Sequence, residues 1–309
     1  MSLNPDRRRF LHAGLGGAAA LALPSLPAWA APAPAPLATT RLGEQLLLIT
    51  GAGGNIVAAR DADGLLLVDG GNRLAGPAAL KLALRELGAH RAHTLVNTHW
   101  HPEQTGLNEV LGKAGAKIIA HENTRLWLGT DVRMTPDATP IRRLPAIARP
   151  NATTYTTGSL MLGDEEVRYG YLSQAHTDGD LYVKFMKANV LVTGGVVAGN
   201  GWPTADWVTG GWINGTATGY RTLAGLCDAT TRVVTANGTT VIGKATLEAE
   251  RVIIADIADQ LGKMMRKGFA PADMLAAAPA KAYEARLGDA TQFLTESFKS
   301  LWPRMAPDA

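Results

Sequence analysis

From residue 46 onward the chain is patterned as short apolar runs broken by glycine and aspartate. Residues 46–50, 55–60 and 65–69 predict three successive strands, with turns at 52–54 and 61–64. Residues 78–87 then carry apolar positions at helical spacing and end at Gly88, a C-cap signal. A strand at 94–96, a helix at 107–114 and a strand at 117–120 follow. An antiparallel meander thus gives way to alternating strand and helix. Prolines and arginines crowd 130–152 and predict a loop, after which 166–172, 181–186 and 190–193 read as strands. The segment 194–219 is rich in glycine and carries Trp202, Trp207 and Trp212. A helix at 220–226, a strand at 231–235 and a long helix from 244 to about 267 come next. Two amphipathic helices are predicted over 271–299.

The candidate chemistry sits where the strand at 94–96 runs out, in Asn97-Thr-His-Trp-His-Pro-Glu-Gln-Thr-Gly106. Side chains alternate along an extended backbone, so His99 and His101 project to the same side, a geometry suited to gripping a transition metal. Cys227 is the one cysteine, which excludes an internal disulfide and a cysteine-based zinc cluster. Any metal site must therefore draw on His, Asp or Glu.

Composition narrows the class further. With 309 residues, 46% hydrophobic and 18% charged, the chain can build one large globular domain. Its net charge is +3, of which Arg7, Arg8 and Arg9 against Asp6 contribute +2. The remaining +1 argues against a nucleic-acid partner. Residues 1–30 read as a twin-arginine signal peptide: the arginines, a Gly/Ala/Leu run, then the small-x-small pattern Ala28-Trp-Ala30. The run is short and broken by Pro24 and Pro27, so it does not predict a stable membrane span after cleavage. The expectation is a periplasmic protein exported by the twin-arginine route. Residues 31–41, rich in proline and alanine, read as a linker, and the folded domain is expected over 42–309.

The order of these pieces resembles the metallo-β-lactamase superfamily, from about residue 42 to 255. The family signature, His-x-His-x-Asp-His after a strand, is matched in part by His99-Trp-His101-Pro-Glu103-Gln104. A distant histidine is matched by His176 in Ala175-His-Thr-Asp-Gly-Asp180. The family's structural aspartate is matched by Asp69, after Leu65-Leu-Leu-Val. The resemblance implies an α+β fold, a four-layer αβ/βα sandwich of two mixed β-sheets flanked by helices. A helical extension is expected over about 256–309. The resemblance also implies that His99, His101 and His176 hold one Zn2+ ion. The second metal normally takes four further groups, and here those positions read Glu103, Gln104, Gly195 (in Thr193-Gly-Gly) and Asn237. Neutral amides are weak zinc ligands and glycine offers no side chain. One zinc ion per chain is the expectation.

A zinc ion on three histidines keeps an open position for water and lowers its pKa to about 7. The function implied is a mononuclear zinc hydrolase acting through a metal-bound hydroxide on a small ester, lactone, thioester or amide. The rebuilt second-metal side argues against β-lactam hydrolysis itself. Glu103 would act as general base or as a further ligand, and Gln104 and Asn237 as hydrogen-bonding groups for substrate or water. Asp180 would bond backbone or a histidine N–H, and Asp69 would be structural. The alternative is a non-catalytic metal- or ligand-binding protein on the same fold. His90, His93 and His121 read as ordinary structural or surface histidines. The tryptophans of 202–212 either wall a pocket or pack, and the stripe with Met264 and Met265 serves either the core or a homodimer surface.

Overall fold

The computed structural model describes residues 36–199, 201–238 and 241–305; the twin-arginine segment and most of the 31–41 linker lie outside them. Seven strands form the first sheet in chain order. They are β1 (Ala38–Arg41), β2 (Leu46–Ala52), β3 (Gly54–Arg60), β4 (Leu65–Val68), β5 (Ala92–Val96), β6 (Lys117–His121) and β7 (Ala152–Thr154). Pairing is antiparallel from β1 to β4 and parallel from β4 to β7. The second sheet contains β8 (Thr157–Leu162), β9 (Glu165–Leu172), β10 (Asp180–Phe185), β11 (Val190–Val192), β12 (Arg232–Val234) and β13 (Ile242–Gly243). Its spatial order is 13-12-11-10-9-8, and only β11 and β12 pair in parallel.

Why two sheets stack is visible in β2 and β4. Leu46 and Leu48, with Leu66 and Val68, turn to a core shared with Val167, Val183, Phe185 and Val192 of the second sheet. Their neighbours Leu47, Ile49, Leu65 and Leu67 turn the other way. Strands apolar on both faces must be covered on both. The outer face of the first sheet is covered by α1 (Gly76–Leu87) and α3 (Asn108–Lys113), through Ala79, Ala83, Leu87 and Leu111. On the second sheet, α5 (Ile213–Gly225), α6 (Lys244–Arg266) and α9 (Thr291–Met305) do the same, through Tyr220, Ile254, Leu261 and Phe298. The result is the expected helix–sheet–sheet–helix sandwich. Short helices α2 (Pro102–Thr105), α4 (Glu122–Leu128), α7 (Pro271–Ala277) and α8 (Glu284–Leu287) complete it.

Several expectations change. Residues 38–41, placed in the linker, are strand β1, paired to β2 with Thr39 opposite Ile49. The short strand β7 and the six-residue strand β8 were not anticipated, nor was α4. Helix α5 begins at Ile213 instead of 220, inside the glycine-rich segment. Helix α6 crosses residue 256 unbroken, so the C-terminal extension continues the helical layer. Met264 and Met265 are partly buried and pack against that core. Among the described residues no helix is long and apolar enough to cross a membrane.

Candidate metal centre

The centre is built at one edge of the stacked sheets by three loops. The first leaves β5 and carries His99 and His101. Its entry is pinned by an amide pair, Asn97 Nδ2 to Asn108 Oδ1 at 3.0 Å and Asn108 Nδ2 to Asn97 Oδ1 at 2.8 Å. Asp69, just past β4, stands at φ +62°. From there its carboxylate accepts the Thr98 backbone N–H and the Thr98 hydroxyl, both at 2.8 Å. The second loop joins β9 to β10 and carries His176. Asp180 folds it back by accepting the backbone N–H groups of His176 (2.6 Å) and Thr177 (2.8 Å) and the Thr177 hydroxyl (2.7 Å). Burial pushes Asp69 up to about 7 and Asp180 up to about 8, against these donors, which favour the carboxylate forms. Both aspartates accept hydrogen bonds from the backbone that places the histidines.

The third loop precedes α5 and supplies what the sequence did not reveal. Thr204 and Asp206 are the outer partners of two of the histidines. His101 Nε2 lies 2.9 Å from Asp206 Oδ2, and His176 Nδ1 lies 2.7 Å from the Thr204 carbonyl. His99 Nδ1 lies 3.0 Å from Thr98 Oγ1, whose own proton goes to Asp69. A carboxylate, a carbonyl and a hydroxyl already committed as donor can each only accept. Each imidazole must therefore carry its proton on the outer nitrogen, an assignment that rests on these partners. The inner nitrogens, His99 Nε2, His101 Nδ1 and His176 Nε2, are left as lone pairs.

Those lone pairs converge. One ring nitrogen from each histidine lies within 4.8 Å of the others, and the ring centroids are 4.7 to 4.9 Å apart. His176 Nε2 and His101 Nδ1 stand 3.0 Å apart. Two lone pairs facing one another at that distance repel unless a cation or proton lies between them. Burial, then the neighbouring histidines, hold His99 well below its ordinary pKa and His176 down to about 4. Protonation is thereby disfavoured and a metal cation fits the donor set. Burial is the largest influence on Asp206 and tends to raise it, but the hydrogen bond and charge of His101, the Thr209 hydroxyl and the charge of His176 together hold the carboxyl below its usual value.

The histidines floor a cavity of about 300 Å³, also lined by Glu103, Gln104, Gly195, Trp202 and Asn237. Glu103 is exposed and stands outside the three-histidine cluster, so it is not a ligand in this geometry. Gln104 is buried against Gly54, and its Oε1 has no partner among the described residues. Asn237 Oδ1 accepts the Gly199 N–H at 3.0 Å, clasping a loop. A Cβ on Gly195 would stand 2.2 Å from His176 Cδ2. The position expected to bridge a second metal is thus a glycine packed against the His176 ring, with no room for a side chain and no ligand to offer.

Of the three tryptophans only Trp202 reaches this cavity. It is stacked on Phe293 at 4.6 Å, and its indole N–H donates to the Gly288 carbonyl. Trp207 donates to Glu296, and Trp212 lies under the Arg304 guanidinium. A larger cavity, about 500 Å³, lies behind the histidine loop between Trp100 and Trp127 and touches none of the three histidines. Size alone would misplace the site; the converging lone pairs locate it.

The chain belongs to the metallo-beta-lactamase superfamily, whose sequence model matches residues 49–255. Among solved structures it resembles a metallo-beta-lactamase from Pontibacter korlensis, with 16% identity over 72% of this chain and all of that one, at a TM-score of 0.58. DIM-1 metallo-beta-lactamase is similar at 18% identity, covering 71% of this chain and 97% of that one, with a TM-score of 0.56. The stereoselective inverting sec-alkylsulfatase Pisa1 from Pseudomonas sp. shares 14% identity over 88% of this chain, at a TM-score of 0.61. This chain spans about half of the alkylsulfatase, 51% of its length. At such identities the likeness is one of fold. No curated protein matches the chain.

Proposed function

We propose that the protein is a mononuclear zinc hydrolase of small acyl compounds, an ester, lactone, thioester or amide. The observation that carries this reading is the set of three inward lone pairs, each fixed by an outer acceptor, at the floor of a cavity lined by Glu103. His99, His101 and His176 would hold the ion. When bound, such a metal supplies Lewis acidity and brings the pKa of a ligated water near neutrality. Glu103 faces solvent without a protein hydrogen bond among the described residues, which leaves its carboxylate available to take a proton. Asp206 keeps His101 in the tautomer that presents Nδ1, and the Thr204 carbonyl does the same for His176 Nε2.

Elemental analysis of zinc-loaded protein tests this reading: about one zinc per chain is expected, lost together with activity in His176→Ala. Protein that holds no metal after supplementation would refute it. Esters, thioesters, lactones and phosphoesters assayed side by side would define the reaction. The rival, a non-catalytic binding protein, draws on the crowding of Gly195 by His176; it predicts bound metal without turnover of any of them. Export through the twin-arginine signal is part of the proposal, and replacing Arg7 and Arg8 by lysine should retain the protein in the cytoplasm.

A further inference from the structure

The cavity over the three histidines has an unusual charge inventory. Among the described residues that line it there is no lysine and no arginine. Glu103 is its one carboxylate, and Asp206, a carboxylate bonded to His101, lies directly behind. The basic residues of this region face elsewhere: Arg73, Lys113 and Arg142 line the larger cavity on the far side of the histidine loop. Gln104, Asn237 and Thr204 on the near side are all neutral.

The charge of the metal has to be counted in the same balance. A dication on the three histidines is offset by Glu103 and Asp206, so the site is close to neutral overall. An anionic arm on a substrate would find no fixed cation away from the metal and would approach Glu103. Like charges brought close to one another repel even where, as at exposed Glu103, solvent screens them. A cationic arm meets the opposite situation. Glu103 attracts it, and Trp202, braced by its stacking on Phe293 and by its bond to Gly288, offers an aromatic wall.

We infer that this site takes acyl compounds without an anionic group, and that Glu103 and Trp202 favour those carrying a cationic one. The inference rests on the hydrolase reading for its chemistry but on the cavity lining for its charge preference, and the two are separable. Anionic substrates such as sulfate esters, phosphoesters and acids with a free carboxylate beside the scissile bond are then disfavoured.

The test compares two probes of similar shape and opposite charge, trimethylanilinium and benzenesulfonate, titrated calorimetrically into zinc-loaded protein. Trimethylanilinium should bind at least about tenfold more tightly, a difference within reach of one ion pair and one cation–π contact. Glu103→Gln should remove most of the preference, Glu103→Lys should reverse it, and Trp202→Leu should weaken trimethylanilinium alone. Glu103 is exposed, so these substitutions leave the fold intact, and binding does not depend on its role in turnover. Thiol release from butyrylthiocholine, S-ethyl thiobutyrate and S-(2-sulfoethyl) thiobutyrate should fall in that order. Equal or tighter binding of benzenesulfonate, no binding of either probe, or a ratio unmoved by Glu103→Gln overturns the inference. If the binding order holds but no thioester, ester, lactone or amide is cleaved, the hydrolase reading fails and the charge preference stands. If the sulfoethyl thioester is cleaved fastest, the converse is true.

Discussion

Asp206→Asn separates a structural loop from a metal centre more sharply than any change to a histidine. Asp206 Oδ2 receives the His101 Nε2–H at 2.9 Å and the Thr209 hydroxyl, and Oδ1 receives the Thr209 backbone N–H at 3.2 Å. Asparagine keeps the size of the side chain but turns an NH2 toward one of these three donors. It also removes the negative charge that strengthens the imidazole as a ligand. Loss of an outer partner of this kind costs about 10- to 100-fold in metal affinity, or roughly 1.4 to 2.8 kcal/mol. Competition with a chromophoric chelator at neutral pH would measure it, with activity normalised to bound zinc. The urea midpoint of metal-free protein, measured in parallel, reports any loosening of the fold. The expected pattern is weaker zinc binding with the metal-free midpoint nearly unchanged. Zinc affinity within about twofold of the parent would refute the assignment of Asp206 to the metal centre.

Three further outcomes follow from the geometry. Gly195→Asp, which places a carboxylate where a second metal would be bridged, should lower zinc content below that of the parent instead of raising it, because its Cβ meets His176 Cδ2 at 2.2 Å; two zinc ions per chain by elemental analysis would refute this. In metal-free protein, burial holds His176 at about 4 against an ordinary 6.5. Between those values the unfolded chain binds a proton the native one refuses. The His176 contribution to stability should therefore be complete above pH 6.5 and be lost toward pH 4, while Asp69 and Asp180, raised to about 7 and about 8, contribute in the opposite direction over the same window; an NMR titration of metal-free protein in which His176 titrates near 6.5 would contradict the His176 assignment. Asp180→Ala should cost at least about 3 kcal/mol, since it strips the acceptor from two buried backbone N–H groups and the Thr177 hydroxyl; a loss under about 1 kcal/mol would show that these donors find other partners.

What could be read in the sequence was what depends on local periodicity. The apolar runs of β2, β4 and β5, the alternation that turns Leu46 and Leu47 to opposite cores, and the His-x-His spacing are all properties of neighbouring residues. His176 was reached through the motif around it. Asp206 was missed because nothing local marks it: it lies thirty residues beyond His176, in a segment whose glycines read as loop. A faint signal did exist in Asp206 with Thr209, three residues on, a side-chain cap of the 3-10 turn at Trp207–Thr209. The early part of α5 was lost for a related reason. Glycine at 215 and 219 argues against a helix on propensity, yet a Cβ at Gly215 would stand 1.9 Å from the Gln174 carbonyl oxygen. The glycine is there so that the helix can press onto the loop carrying His176. Strand β8, by contrast, alternates in exposure along Thr157–Leu162, and its period was legible but unread. The linker assignment of 38–41 failed because an edge strand exposed along its length carries no apolar alternation.

Asp206 and the start of α5 fall in one region, and that region shows how the C-terminal helices enter the function. The third loop holds Thr204 and Asp206, and so the tautomers of His176 and His101. Its backbone is tied to the His176 loop, through Asp206 N–H to the His176 carbonyl at 2.7 Å and Asp178 N–H to the Thr209 carbonyl at 2.9 Å. Its other side is held by α9: Trp207 donates to Glu296, the Arg304 guanidinium donates to the Gly210 carbonyl and covers Trp212, and Ile213 N–H donates to Ser300 Oγ. Phe293 from the same helix stacks on Trp202, the aromatic wall of the cavity. An outer ligand shell works only if its acceptors are fixed in direction. Here that direction is fixed from both sides, by the histidine loop it serves and by a helix that lies beyond the part of the chain matched by the family model. The extension therefore supports the candidate metal centre in the same sense as Asp69 and Asp180: it contributes no inward nitrogen, yet it sets where the lone pairs point.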